Sequence, residues 1–83
     1  MARSKNIVKT VVDVPSIPRN AVIPAGTYGF VIERHQESEE YVVDLATPSA
    51  ELVGGFQWDN VVLRPGQFMF VDEFPKSPYA EDE

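Results

Sequence analysis

The apolar residues of this chain fall into short blocks in which apolar and polar positions alternate, and proline, glycine, serine and aspartate separate the blocks. In the segment NIVKTVVDV, every second residue from Val8 to Val14 can share one face of a strand, while Lys9 and Asp13 point the other way. No window places apolar residues at helical spacing. The pattern predicts an all-β protein.

About five short antiparallel strands account for these blocks. The first is expected to end at Pro15, because proline has no amide hydrogen for a ladder, and residues 15–26 are expected to form a long irregular loop. TYGFVIER and YVVDLA, joined by the polar loop HQESEE, form a predicted hairpin, in which Gly29 allows sharp coiling or the close approach of another backbone. LVGGFQWD is expected to bend at Gly54 and Gly55, DNVVLRPGQ to turn, and FMFV to close a small barrel, closed or partly open.

The length of 83 residues predicts one domain with a compact core. We expect a basic arm at residues 1–6, a barrel over residues 7–71 and an acidic, proline-spaced tail over residues 72–83. In that tail only Phe74 and Tyr79 offer apolar anchors. Because the first ten residues contain no apolar stretch of signal-peptide length, we expect a soluble cytoplasmic protein with no membrane contact.

The charge of the chain is uneven. Four cations and one acid give residues 1–20 a charge of +3, whereas three cations and twelve acids give residues 21–83 a charge of −9, for a total of −6. An acidic body repels phosphate backbones, so direct binding of nucleic acid is not expected. The sequence also lacks cysteine, which excludes disulfides, thiolate nucleophiles and zinc–thiolate sites.

The order of these features resembles the SH3-like small β-barrels. The matching elements are a long loop after the first strand, PAGTYGFVIE, EEYVVDL and GGFQWDNVVL, which together cover residues 7–71. GGFQWDNVVL is similar to a stretch of subunit S of the photosynthetic NADH dehydrogenase-like complex, a ferredoxin-docking family, and small uncharacterised bacterial barrels also look like this chain. Ferredoxin docking needs positive charge, but the matching region carries two acids, Glu51 and Asp59, and only one cation, Arg64. Ferredoxin docking is therefore not carried over to this chain.

The sequence offers little support for a catalytic or metal site. His35, with Glu33, Glu37 and Glu39 nearby, can be drawn as a metal site or as a solvated turn, and the turn is favoured. Asp44 and Asp59 are the carboxylates with the most apolar neighbours, yet Asp44 alternates towards solvent and Asp59, in WDN, fits a turn-type hydrogen bond. We expect no catalytic residue, no bound metal and no cofactor.

Aromatic residues in excess of what a small barrel can enclose are the remaining signal. The resemblance implies that surplus rings line an outer peptide groove, with the acidic loop QESEE beside Trp58. Alternatively, Trp58 caps the open end of the barrel. The predicted partner-binding residues are Trp58, Phe56, Tyr28, Tyr41, Asp59 and Arg64.

The function predicted from the sequence is a non-catalytic interaction or accessory module that docks on a larger protein assembly. Strand edges in such barrels also favour homo-oligomers. Two alternatives stay open. One is an acidic inhibitor of phage type that mimics nucleic acid. The other is an enzyme assembled from several SH3-like barrels, although the pore residues of the known example are missing here and FQWD is the nearest segment.

Overall fold

A computed structural model describes residues 6–76 as an all-β fold with antiparallel strands, as the alternation predicted. Five strands form one sheet in the order β6-β5-β4-β1-β7, and β2 and β3 form a separate two-stranded sheet. The strands are β1 (Ile7–Thr10), β2 (Val14–Ser16), β3 (Ala21–Ile23), β4 (Tyr28–His35), β5 (Glu40–Pro48), β6 (Phe56–Leu63) and β7 (Phe68–Phe70). The predicted basic arm, apart from Asn6, and the predicted anchor Tyr79 lie outside the described residues.

The sequence predicted a barrel that is either closed or partly open, and the closed form is wrong. In the described part of the chain, β6 and β7 are the two edges of the larger sheet and do not pair with each other. The β2–β3 sheet instead contributes Val14 and Ile23 to the same core as the larger sheet. The core is therefore enclosed by two sheets rather than by one sealed sheet.

The first predicted strand is interrupted. β1 ends at Thr10, Val11 and Val12 are exposed, and the chain enters β2 only at Val14. The predicted irregular loop accordingly contains a hairpin, in which Pro15 lies opposite Val22. Proline is tolerated there because β2, in the described part of the chain, pairs with β3 alone, so the missing N–H of Pro15 costs no ladder bond.

The segment predicted to turn after Trp58 continues instead as a strand. β6 pairs with β5 without interruption from Phe56, opposite Pro48, to Leu63, opposite Tyr41. The two glycines predicted to bend a strand lie in the turn before β6, where Gly54 has φ 90° and Gly55 has φ 84°. Both angles are in the left-handed region, which glycine adopts without steric cost.

The core consists of apolar side chains from one face of the larger sheet and from the smaller sheet. Its buried members are Val8, Val14, Ile23, Val43, Leu45, Leu63 and Phe68. Gly29 is also buried, and a Cβ on it would meet the carbonyl oxygen of Asp44 and, at 2.8 Å, the Cδ2 of Leu45. This confirms that another backbone approaches Gly29 closely.

The opposite face of the larger sheet, here called the outer face, carries aromatic rings. Register places Tyr28 opposite Ala46 and Ala46 opposite Trp58, while the next row, Gly29, Leu45 and Asp59, points to the core. Because side chains alternate along a strand, the aromatic row lies on the side away from the core.

Candidate docking face

The outer face brings together four rings from β4 and β6. Tyr28 and Phe30 are alternate residues of β4, and Phe56 and Trp58 are alternate residues of β6. Between these strands lies Ala46 of β5, which is 2% exposed and whose small side chain lets the rings on either side converge. The centroids of Phe30 and Trp58 are 6.0 Å apart, and those of Phe56 and Trp58 are 5.9 Å apart.

A fifth ring, Phe74, reaches this face from the segment that follows β7. That segment leaves the sheet beside β1, where the Val71 N–H donates to the Ile7 carbonyl at 2.9 Å. Phe74 then stacks on Phe30, with centroids 4.5 Å apart, and lies nearly parallel to Trp58, at 8° and 6.0 Å. The sequence-based interpretation of Phe74 as an anchor is thus confirmed, but its role in the predicted site was missed.

The aromatic cluster is only partly covered. Trp58 remains 45% exposed, although it contacts three other rings. Beside the cluster lies a cleft of about 330 Å³, whose lining includes Tyr28, Phe56, Pro24, Pro48, Pro75 and Lys76. Rings and prolines make this cleft mainly apolar, and it opens directly next to the described end of the chain.

Asp59 belongs to a different environment. It is 8% exposed, and both of its carboxylate oxygens accept hydrogen bonds from Arg19, from Nε and from Nη2, each at 2.8 Å. Ser16 Oγ donates to the same carboxylate at 3.3 Å. The hydrogen bonds from Arg19 lower the pKa of Asp59 despite its burial. This carboxylate therefore fastens the β2–β3 segment to β6 and does not lie on the outer face.

No local sequence pattern indicates the pairing of Arg19 with Asp59. Arg19 lies 40 residues before Asp59, in a stretch predicted to be irregular, and the Asp-Asn step suggested a turn. The Asp–Arg bond exists only because two sheets pack together, which local patterns do not encode. Its bidentate geometry fixes the direction from which Arg19 approaches.

Tyr41 and Arg64 lie at the far end of the sheet. Tyr41 contacts Phe68 on the core side, with centroids 5.1 Å apart, and carries the Arg34 guanidinium 5.0 Å above its ring. Arg64 Nη2 is 3.2 Å from Glu40. The structure therefore brings Trp58, Phe56 and Tyr28 together. It separates from them the other three predicted residues, which are Tyr41, Asp59 and Arg64.

The acidic loop is also remote from Trp58. Trp58 lies opposite Ala46, whereas the loop over residues 36–40 meets the sheet at Glu40, six residues away along β5. Six residues of strand span about 20 Å. The loop and Trp58 do not form a single groove.

The other candidate side chains make contacts in two separate places. His35 Nε2 is 3.7 Å from Glu33, and both side chains are exposed. Asp44 Oδ1 accepts a hydrogen bond from Asn60 Nδ2 at 2.8 Å. Among residues 6–76, no three acidic or histidine side chains are grouped in a way that could hold a metal ion.

Comparison with protein-family models, with curated proteins and with solved structures gives no match. In the part of the chain that the structure describes, no helix has the length and hydropathy of a membrane-spanning segment.

Proposed function

We propose that this chain is a non-catalytic interaction module that docks on a larger protein through its outer face. The observation that carries the proposal is the position of Trp58. Its ring belongs to a five-ring cluster, yet it stays 45% exposed at the edge of the sheet. Tryptophan is enriched at the energetic centres of protein interfaces, because one large ring buries much apolar area at a small entropic cost.

The cleft beside the cluster indicates what kind of partner segment the face accepts. Phe74 and Pro75 of the chain itself occupy or line this region, so the face accommodates an aromatic ring followed by a proline. Grooves lined by aromatic rings bind extended, proline-containing segments, whose limited flexibility reduces the entropic cost of binding. A partner segment of this composition is the best match.

The SH3-like assignment is part of the same proposal. It is supported by the long connection between β1 and β4, which contains a small hairpin, and by the consecutive antiparallel strands β4, β5 and β6. SH3-like modules bind peptides on an outer aromatic groove, which agrees with the position of the cluster.

The test compares two variants that each lose one half-exposed ring. Trp58→Ala removes the ring from the outer face, whereas Phe70→Ala removes a ring that is 42% exposed and that contacts Tyr41 and Phe68 instead. With each as bait in affinity capture from the native lysate, we expect Trp58→Ala to lose a partner that both wild type and Phe70→Ala retain. An anchor tryptophan contributes about 2 kcal/mol, which corresponds to an affinity loss of about thirtyfold.

Circular dichroism melting of both variants provides the control for folding. If Trp58→Ala unfolds at the assay temperature, the ring is structural, and the proposal loses its main support. If Trp58→Ala remains folded and captures the same proteins as wild type, docking through the outer face is excluded.

A further inference from the structure

Among residues 6–76, no strand pairs with the outer edge of β6. β6 contains eight residues and, within residues 6–76, pairs with β5 alone, whereas β7 at the other edge contains three residues. An unpaired edge presents a row of N–H and C=O groups that can receive another strand. These groups are distinct from the aromatic rings of the outer face.

The hydrogen-bond pattern identifies which residues direct their backbone groups outwards. Just before β6, the Ser49 N–H donates to the Gly55 carbonyl at 2.9 Å, in line with the β5–β6 register. Because bonded and non-bonded pairs alternate in an antiparallel ladder, the odd-numbered residues of β6 bond to β5. The even-numbered residues therefore direct N–H and C=O to the free edge; they are Phe56, Trp58, Asn60 and Val62.

This row has clear limits. Beyond it, the Arg64 N–H is already occupied by Gln67 Oε1 at 2.8 Å. Within it, the Trp58 carbonyl accepts a hydrogen bond from the exposed Gln57 side-chain amide at 3.2 Å, a bond that an incoming strand can replace. The four outward-facing residues are therefore centred on Asp59.

The edge lacks the features that usually prevent pairing. Natural edges are protected by lysine, proline, bulges or short length. β6 contains no lysine or proline, its register with β5 is unbroken, and its one charged residue, Asp59, turns inwards to Arg19. The row itself is uncharged, so the net charge of −6 is not concentrated where strands would meet.

We propose that a second copy of this chain pairs with β6 through its own β6, antiparallel, across a two-fold axis at Asp59. This register places Phe56 opposite Val62 of the second copy and Trp58 opposite Asn60 of the second copy. It provides a partner for every outward N–H and C=O of the row without overhang, because the row is symmetric about Asp59. Like charges directly opposite each other disfavour pairing, but each Asp59 is neutralised by its own Arg19.

A second copy matches this edge better than an unrelated strand. By symmetry, the outward-facing row of its β6 has the same length as the row it pairs with and is centred on the same residue. The pairing joins the two sheets into one and brings both outer faces onto the same side. The inference does not depend on the proposed function, because it uses edge backbone groups rather than rings.

The first experiment measures mass and amide exchange of the full chain over a range of concentrations. By sedimentation velocity, we expect the mass to change from that of a monomer to that of a dimer. By NMR, the amides of Trp58, Asn60 and Val62 gain protection in parallel with dimer formation, whereas those of Gln57 and Asp59 are protected at every concentration.

Three outcomes would contradict the proposal. The chain can remain monomeric up to millimolar concentration, or it can dimerise without any change at the even-numbered amides. Alternatively, these amides can gain protection only in a complex with another protein, which would assign the edge to that partner.

The second experiment compares Asn60→Pro with Asn60→Ala. Both variants lose the side-chain bond to Asp44, but only proline removes the outward N–H, and neither removes a backbone hydrogen bond to β5. We expect proline to raise the dimer dissociation constant at least about tenfold and alanine to raise it less than about threefold.

Should Asn60→Pro not fold, Val62→Lys replaces it, because it places a charge on the same edge and keeps the backbone N–H. Val62 is 56% exposed, so the monomer tolerates lysine. A dissociation constant equal to that of wild type in a folded edge variant would overturn the proposal.

Discussion

At the residue scale, Asp59 shows how a single side chain joins two sheets. Its carboxylate is buried and accepts two hydrogen bonds from Arg19, whose side chain is 37% exposed. Asp59→Asn keeps the size of the side chain but removes the charge and one acceptor. Because Arg19 is partly solvated, we expect a loss of about 1 to 2 kcal/mol in the free energy of unfolding, measured by urea denaturation.

Asp44→Asn is the matched control, since Asp44 is a strand carboxylate whose hydrogen bond to Asn60 is exposed and can be kept by an amide oxygen. A loss of stability in Asp44→Asn as large as that in Asp59→Asn would exclude a special role for the Arg19–Asp59 pair.

The pH dependence of stability provides a second check on the Arg19–Asp59 pair. Arg19 lowers the pKa of Asp59 in the folded state, so the stabilisation is present above the unfolded pKa of about 3.9 and is lost as pH falls through the lower folded value. The stability difference between wild type and Asp59→Asn should therefore shrink below about pH 4.

At the element scale, alternation identified the segments that became β4 and β5 because each has one face on the core. The same rule failed at β6, where Asp59 and Asn60 resembled a turn. In the folded chain, Asp59 bonds to Arg19 and Asn60 bonds to Asp44. Neither polar side chain therefore prevents this segment from forming a strand. Such compensation comes from residues distant in sequence and is invisible to a local pattern.

Gly29 was also interpreted correctly from its place in a strand, and it determines how closely β4 and β5 pack. A Cβ at this position would contact the Asp44 carbonyl and lie 3.0 Å from the Leu45 Cα. Since backbone atoms cannot rotate away, we expect Gly29→Ala to destabilise the protein by about 2 to 3 kcal/mol and to speed amide exchange along β4 and β5.

Gly54→Ala is the control for Gly29→Ala. Nothing lies within 4 Å of its added Cβ, and its cost arises only from a φ of 90° in the turn before β6. Its effect on exchange should remain local to that turn. If Gly29→Ala leaves exchange in β4 and β5 unchanged, the close approach does not constrain the pairing.

At the scale of the whole molecule, the sequence predicted that some rings would remain outside the core, but it did not predict which ones meet. Tyr28, Phe56 and Trp58 meet because β4 and β6 flank β5 and the register places their rings on the same face. Tyr41 faces the core instead, because it is an odd-numbered residue of β5 whereas Ala46 of the outer face is an even-numbered one. Membership of the cluster thus depends on strand order and register. Neither is written in the local pattern of any one strand.

Phe74 packs on the rings of the outer face and so forms an apolar layer outside the core. The fluorescence of Trp58, the single tryptophan, can report whether Phe74 covers this face. Phe74→Ala removes the ring that stacks on Phe30 and lies parallel to Trp58, so water gains access to the indole. We expect the Trp58 fluorescence maximum to shift to longer wavelength and the free energy of unfolding to fall by about 1 to 2 kcal/mol, less than for a fully buried phenylalanine. Phe70→Ala also loses ring contacts but has none with Trp58, so its emission maximum should stay at the wild-type position. Equal emission maxima in both variants would mean that Phe74 does not cover Trp58 in solution, and the outer face would then be a bare aromatic surface rather than a layer that its own chain partly covers.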